Sequence, residues 1–316
     1  MTKQMNAIVI NEYGGRDQLT QTQMPIPEIS DHQLLVKVVS IGVNPIDWKV
    51  REGLRKKRYN FEFPIILGQE MAGVVAEVGK DVTGFKVGDA VLGYGTPNNR
   101  GTYAEYYAVD ASQVAHKPIT VSFQEAAGVS LAGTTAWQAI FDAGHLKVGQ
   151  TVLVLAGSGG VGSMAIQLAK NIGAHVITTT SAPNEHFVKS IGADKVIDYT
   201  TQDFSKVSPE VDLVFDTLGG QNQIDAFKVI KPGGAVISVV ETTDQAAELA
   251  ENHQVTFDKI NAHPEQDVIT TLSNQLGSGK LKVKIATQLK FNVENVREMH
   301  KLSETGHIVG KLILNI

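Results

Sequence analysis

Three glycines, Gly157, Gly159 and Gly162, stand in the stretch AGSGGVG with the spacing G-x-G-x-x-G. The chemistry open to such a turn is anion binding. Backbone N–H groups at a helix N-terminus, together with the positive end of the helix dipole, can receive a pyrophosphate. Alone the pattern is weak, since glycine is common in loops, and its setting gives it weight. The apolar run TVLVLA (151–156) precedes it, as a parallel strand buried on both faces would. GVGSMAIQLAKNIGA follows as a helix, with Val161, Ala165, Leu168 and Ile172 at helical spacing and Gly173 as its stop. In that setting Gly157 permits the tight turn, Gly159 lets the backbone approach a pyrophosphate, and Gly162 lets helix and strand pack closely. Ser158, Gly160 and Val161 complete the expected cofactor-binding turn.

A site for NAD places an acid at the end of the second strand to grip the ribose 2′-hydroxyl. Here HVITTT ends in Thr179, Thr180 and Ser181, and the first acid is Glu185, inside the next element. Small hydroxyls accept a 2′-phosphate that a carboxylate would repel. His186 and Lys189 are cations nearby in sequence, although no arginine stands there. NADPH is therefore expected in preference to NADH.

The elements around this turn predict two domains. Residues 1–118 hold short β-like runs punctuated by glycine and proline: AIVI (7–10), QLLVKVVSIGV (33–43), MAGVVAEVG (71–79), DAVLGYG (89–95) and TYAEYYAV (102–109). Their spacing suggests an all-β, barrel-like unit. From Pro118 the texture changes. TVSFQEAAGVSLAGTTAWQAIFDAG reads as a helix with Ser122 and Glu125 as a capping box. Strands and helices alternate from there to residue 281: HVITTT, NEHFVKSIG, KVID, VDLVFDTLGG, QNQIDAFKVIKPGG and AVISVV follow the turn. That alternation predicts a doubly wound parallel sheet, an α/β cofactor domain over 119–281. The tail 282–316 reverts to strand, helix, strand and is expected to complete the first domain. AVISVV (235–240) is a candidate edge strand for pairing two copies.

Composition narrows the class. The chain has 316 residues, no cysteine and a net charge of −5. A mildly acidic balance argues against general nucleic-acid or membrane-surface binding. The absence of cysteine removes disulfides, thiolate metal sites and cysteine nucleophiles. The polar opening residues do not read as a signal peptide, and no apolar run approaches the ~20 residues of a membrane span. A cytoplasmic protein is expected.

In order along the chain, GVNPIDWKVREG (42–53), FPIILGQEMAGVVAEVGKDVTGFKVGDAV (63–91), GTYAEYYAV (101–109), GTTAWQAIF (133–141), the glycine turn, GADKVIDY (192–199) and GHIVGKLIL (306–314) resemble the medium-chain dehydrogenase/reductase superfamily. Within it they resemble the zinc-independent quinone oxidoreductase, or ζ-crystallin-like, branch. The resemblance implies a GroES-like catalytic domain beside a Rossmann domain, and a homodimer. Where zinc-dependent relatives carry a ligand cysteine, this chain has Asn44. In the second ligand motif, LGQE puts Gln69 in place of histidine. Neutral amides are poor zinc ligands, and the remaining histidines lack metal spacing, so no metal is expected.

Without a Lewis acid, hydride transfer suits an acceptor that spreads the incoming charge by conjugation, such as a quinone or an α,β-unsaturated carbonyl. The resemblance implies that Asn44 and Thr135 line the nicotinamide pocket; Asn-Pro turn chemistry and plain helix packing are the competing roles. Lys49 is a candidate donor to the ribose or a developing enolate, and equally a solvated loop lysine. Asp47 is expected to fix its loop by a local hydrogen bond rather than act as an acid. Tyr199 is expected against the adenine ribose or 2′-phosphate, with an edge-of-core role as the rival. Val240, with Val239 and Glu241, is expected near the nicotinamide carboxamide, and Lys311, with Gly310, at the closing tail. The basic run RKKR (55–58) reads first as a solvated loop and second as an attractor for an anionic thioester. The expected activity is NADPH-dependent reduction of a small quinone or enone. An enoyl-thioester reductase, or a crystallin-like cofactor-binding or regulatory protein without turnover, are the alternatives.

Overall fold

The computed structural model describes residues 3–316. The chain divides into two units. One runs up to Leu131 and takes in Pro264–Gly279 and Val283–Ile316; the other is Ala132–His263 with Lys280–Lys282. The sequence-based boundaries at 118 and 282 differ from these for a local reason. The helix Phe123–Ala126 and the helix Gln266–Gly277 both belong to the first unit. There Ser273 Oγ donates to His116 O, and Gln266 Nε2 to Ala111 O.

In the first unit β1 (Gln4–Ile10) pairs with β2 (Thr20–Pro25) and β4 (Ile65–Ile66) in a small antiparallel sheet. A larger sheet is organised around β3 (Gln33–Val43). One edge of β3 takes β5 (Glu70–Val78), which leads to β6 (Ala90–Tyr94) and β8 (Val114–His116). The other edge is shared by β7 (Tyr106–Asp110), opposite residues 33–37, and a strand from the tail, opposite residues 40–43. Alternating Val, Ile and Leu from these strands form one core, which includes Ile8, Ile10, Val36, Ile41, Met71 and Val91. Only the second half of TYAEYYAV is strand.

The second unit is a six-stranded, all-parallel sheet: β9 (Thr151–Val154), β10 (His175–Thr180), β11 (Lys195–Asp198), β12 (Val211–Asp216), β13 (Ile230–Ser238) and β14 (Thr256–Lys259). The order β11-β10-β9-β12-β13-β14 reverses between β9 and β12, the doubly wound arrangement with its crevice at the strand C-termini. β9, β10 and β12 are buried throughout their centres, β9 and β12 with mainly apolar residues and β10 with Val176, Ile177 and three threonines, as a sheet covered on both faces requires.

Two expectations are corrected here. The segment from Ser122 to Gly144 is not one helix. It breaks into Phe123–Ala126, Ser130–Trp137 and a π-helical turn, Gln138–Ala143. The capping box at Ser122 and Glu125 is formed as read. AVISVV is not an edge strand either, because β13 lies between β12 and β14. The edges are β11 and β14, and β14, beside β13, is a short polar strand that hydropathy alone does not reveal. Finally, β15 (Ile285–Lys290) and β16 (Lys311–Asn315) return the tail to the first unit, where β16 pairs with β3.

Candidate active site

The turn after β9 is built by tight packing on three sides. A Cβ on Gly157 would fall 1.9 Å from Thr178 Oγ1, and one on Gly162 would fall 2.4 Å from Ala156 O. A Cβ on Gly159 would meet nothing nearer than 3.4 Å. The two outer glycines are thus required by the protein itself, while at the middle one a side chain would meet only ordinary contact, as a turn that admits a pyrophosphate should. The backbone reversal itself falls to Ala156, at φ 55°, not to Gly157 as the motif suggests. Such a conformation is uncommon for alanine and persists only when neighbours enforce it. Here Ala156 N–H donates to Thr179 Oγ1, and Gly157 N–H to Thr179 O. Gly159 caps the following helix, Gly160–Asn171, which puts Gly160, Val161 and Gly162 in its first turn with their N–H groups toward the ligand end.

The hydroxyls of TTTS do different work from one another. Thr178 and Thr179 are spent on Val154 O and Ala156 N–H. Thr180 Oγ1 donates to Ser158 Oγ at 3.0 Å, joining the strand end to the turn, and Ser181 Oγ accepts from Asn184. The stretch itself holds no carboxylate, but Asp198, in register with Thr180 on the next strand, accepts the Ala182 N–H. Lys189 is paired with Glu185 at 2.6 Å, so it brings no spare positive charge. Tyr199 is exposed, and its N–H donates to Thr180 O. Val240 is held through a buried carboxylate that sequence reading overlooked. Asp216, at the end of β12, accepts from Leu218 N–H, Gly219 N–H, Gln223 Nε2 and Ser238 Oγ. Ser238 Oγ in turn accepts from Val240 N–H at 3.3 Å. The signal was available: an acid ending an apolar strand just before Gly219 and Gly220.

In the first unit the residues at zinc-ligand positions form a different cluster. Asn44, which precedes the helix Pro45–Arg51, is buried. Its Nδ2 donates to Gly42 O and Glu70 Oε2, and its Oδ1 accepts from Lys311 Nζ at 2.5 Å. Lys311 Nζ also lies 2.9 Å from Glu70 Oε2, with both side chains buried. Glu70 Oε1 takes Leu131 N–H. The cluster needs Gly42, since a Cβ there would sit 2.3 Å from Glu70 Oε2. Two of the three donors of Lys311 are therefore committed inside the protein. Of the other two expected catalytic residues, Lys49 lies with its ammonium 5.6 Å from the Trp48 ring centroid, and Thr135 is half-buried in the second unit.

Asp47 caps the same helix. Its Oδ2 accepts from Asn44 N–H at 2.9 Å and from the Tyr103 hydroxyl at 3.0 Å. Burial pushes its carboxyl up to about 7, against the lowering effect of those two donors and of Lys311. Tyr103 also meets His300 Nε2, and His300 Nδ1 meets Arg51. Burial, reinforced by Arg51 and Arg16, drives His300 down to about 3, so the ring is neutral. The Tyr103 hydroxyl is raised by burial and by Asp47. None of Tyr103, His300 or Arg51 stood out in the sequence.

Both halves agree with the comparisons. Residues 30–119 match the alcohol dehydrogenase GroES-like domain, and residues 191–314 match the zinc-binding dehydrogenase family. A 2-methylene-furan-3-one reductase of Solanum lycopersicum is 36% identical over 99% of this chain and 79% of its own length. An NADPH-dependent alkenal/one oxidoreductase, chloroplastic, of Arabidopsis thaliana is 35% identical over 99% of this chain and 80% of its own. Among solved structures, the quinone oxidoreductase from Coxiella burnetii superposes with a TM-score of 0.91 at 34% identity, covering 99% of this chain and 100% of that one. The chain belongs to the quinone oxidoreductase side of the medium-chain dehydrogenase/reductase superfamily.

Proposed function

We propose that this protein is a zinc-independent, NADPH-dependent reductase of quinones or α,β-unsaturated carbonyls. The observation that carries the reading is the cluster at residue 44. The donor set there, the neutral amide of Asn44 and the Glu70 carboxylate, both already bonded to the Lys311 ammonium, does not fit a zinc ion. The glycine turn, with Gly159 uncrowded by its own chain, fits a dinucleotide, which when bound supplies a hydride. Gly160, Val161 and Gly162 receive the pyrophosphate at the helix N-terminus. Thr180, Ser181 and Tyr199 would hold the ribose, where the absence of an acid from the end of β10 favours a 2′-phosphate, and Val240 would offer its backbone carbonyl to the carboxamide. Asn44, held by Glu70 and Lys311, orients the nicotinamide end, with Thr135. Lys49 is the candidate donor to the developing enolate. A conjugated acceptor places its negative charge on a remote oxygen, so one hydrogen-bond donor suffices.

The test is NADPH oxidation against a panel of quinones, 2-alkenals, a crotonyl thioester and a simple secondary alcohol, with and without a chelator. Turnover of quinones or alkenals that survives chelation is the expected result. Alcohol turnover lost on chelation would overturn the zinc-free reading, and preference for the thioester would make the enzyme an enoyl-thioester reductase. Cofactor-induced stabilisation without any turnover would favour the binding-protein alternative. The same proposal includes a homodimer and a cytoplasmic location. β11 and β14 are the edge strands available for pairing, and light scattering checks the oligomeric state. Cell fractionation checks the location.

A further inference from the structure

The polar line behind Asn44 has a fixed direction. Arg51 is fully buried and can only donate: its Nε to Gly14 O, one terminal nitrogen to His300 Nδ1 and Glu304, the other to Glu52. His300 Nδ1 must therefore accept, which leaves its proton on Nε2, 3.0 Å from the Tyr103 hydroxyl. Tyr103 then has one proton to give, and Asp47 Oδ2 receives it. The line ends where Asp47 Oδ2 also receives Asn44 N–H. Asp47 Oδ1, by contrast, is buried with no partner among the described residues. An incoming proton therefore settles on Oδ1. Asp47 also lines, with Leu67 and Gln69, a cavity of about 10 Å³, space for roughly one water to carry that proton.

We propose that Asp47 is a positioning residue: as a carboxylate, aligned by Arg51, His300 and Tyr103, it anchors Asn44 through the backbone N–H, and one proton taken up at Oδ1 loosens that anchor. Protonation weakens both bonds at Oδ2, because a neutral carboxyl is the poorer acceptor. Asn44 then keeps its side-chain bonds to Gly42, Glu70 and Lys311 and the bond its carbonyl accepts from Asp47 N–H. The groups facing Asp47 each set the balance. Lys311 and the Tyr103 donor favour the carboxylate, and Glu70 opposes it. His300 takes no part as a base, because Arg51 occupies its lone pair. Glu304 and Glu52 neutralise Arg51 at the far end of the line, where Arg16 also meets Glu304. Burial holds the switch near neutral pH.

The proposal rests on the reductase reading for its catalytic effect, so the experiment has an arm that does not. For reduction of a 2-alkenal by NADPH, kcat/KM is expected to rise with pH through one ionisation near neutrality. Asp47→Asn should flatten that profile, and Tyr103→Phe, by removing a donor to the carboxylate, should move its midpoint up by about one pH unit. In the second arm Trp48, the neighbour of Asp47, is read by fluorescence in a Trp137→Phe background without substrate, titrated between about pH 5.5 and 8.5. A transition with the same midpoint, lost in Asp47→Asn and shifted in Tyr103→Phe, supports the proposal even if no acceptor is reduced. An inflection unchanged by both substitutions, or a Trp48 signal that ignores pH, overturns it.

Discussion

At the scale of single residues, the buried pair of Lys311 and Glu70 carries the largest electrostatic stake. Breaking such a pair leaves a charge without compensation. Lys311→Met is expected to destabilise the fold by about 3–5 kcal/mol, and Glu70→Gln in the same chain should recover part of that loss, both read by urea denaturation. Asp47 carries the opposite kind of stake. Its carboxyl is raised from 3.8 in an open chain to about 7 in the fold, so the stability it allows is full below pH 3.8 and is lost as pH climbs to about 7. Above that point the ionised group costs on the order of 4 kcal/mol. The melting temperature of Asp47→Asn relative to the native chain should therefore improve steadily from pH 4 to pH 8. Scanning calorimetry across that range checks it, and a difference independent of pH would contradict it. His300 acts in the reverse sense: kept neutral down to about 3, it withdraws stability as pH falls below the usual histidine range.

At the scale of elements, the glycine turn separates two kinds of requirement. Gly162→Ala drives a methyl against Ala156 O and should lower both stability and cofactor affinity. Gly159→Ala meets only ordinary contact distances, so its melting temperature should stay close to that of the native chain while NADPH affinity falls at least about tenfold. Calorimetric titration beside thermal melts distinguishes them; equal losses in both variants would count against a pyrophosphate at Gly159. Thr180→Asp, at the end of β10, should shift cofactor preference toward NADH by about tenfold or more, read as the ratio of kcat/KM values. β13 and β14 show where pattern reading stops. AVISVV carries a clear hydrophobic signal, but whether a strand lies inside a sheet or at its edge depends on a polar neighbour twenty residues away.

For the molecule as a whole, legibility followed sequence distance. The strand, turn and helix around Gly157 lie within about twenty residues, and each glycine has a local steric cause, so the cofactor half was readable. Asn44 could be singled out for its place in the NPID turn. Its partners could not be foreseen: Lys311 is 267 positions away, and Arg51 and His300 are 249 apart. No periodicity links such pairs, and buried histidine, tyrosine and arginine look in sequence like ordinary surface or core residues. The same separation hid from the sequence the two inward bonds of Lys311.

β16 supplies the far edge of β3 and brings Lys311 to Glu70, and both are synthesised after the whole of the second unit. The parallel sheet of the second unit, by contrast, is built from one nearly continuous stretch. During synthesis the nucleotide-binding unit can therefore close while the first unit still waits for its final strand, with Glu70 uncompensated. Nascent chains arrested before residue 311 should resist protease in the second unit and be cut in the first. The order in which this enzyme matures is then the reverse of the order in which most of it is made: the half begun first is finished last.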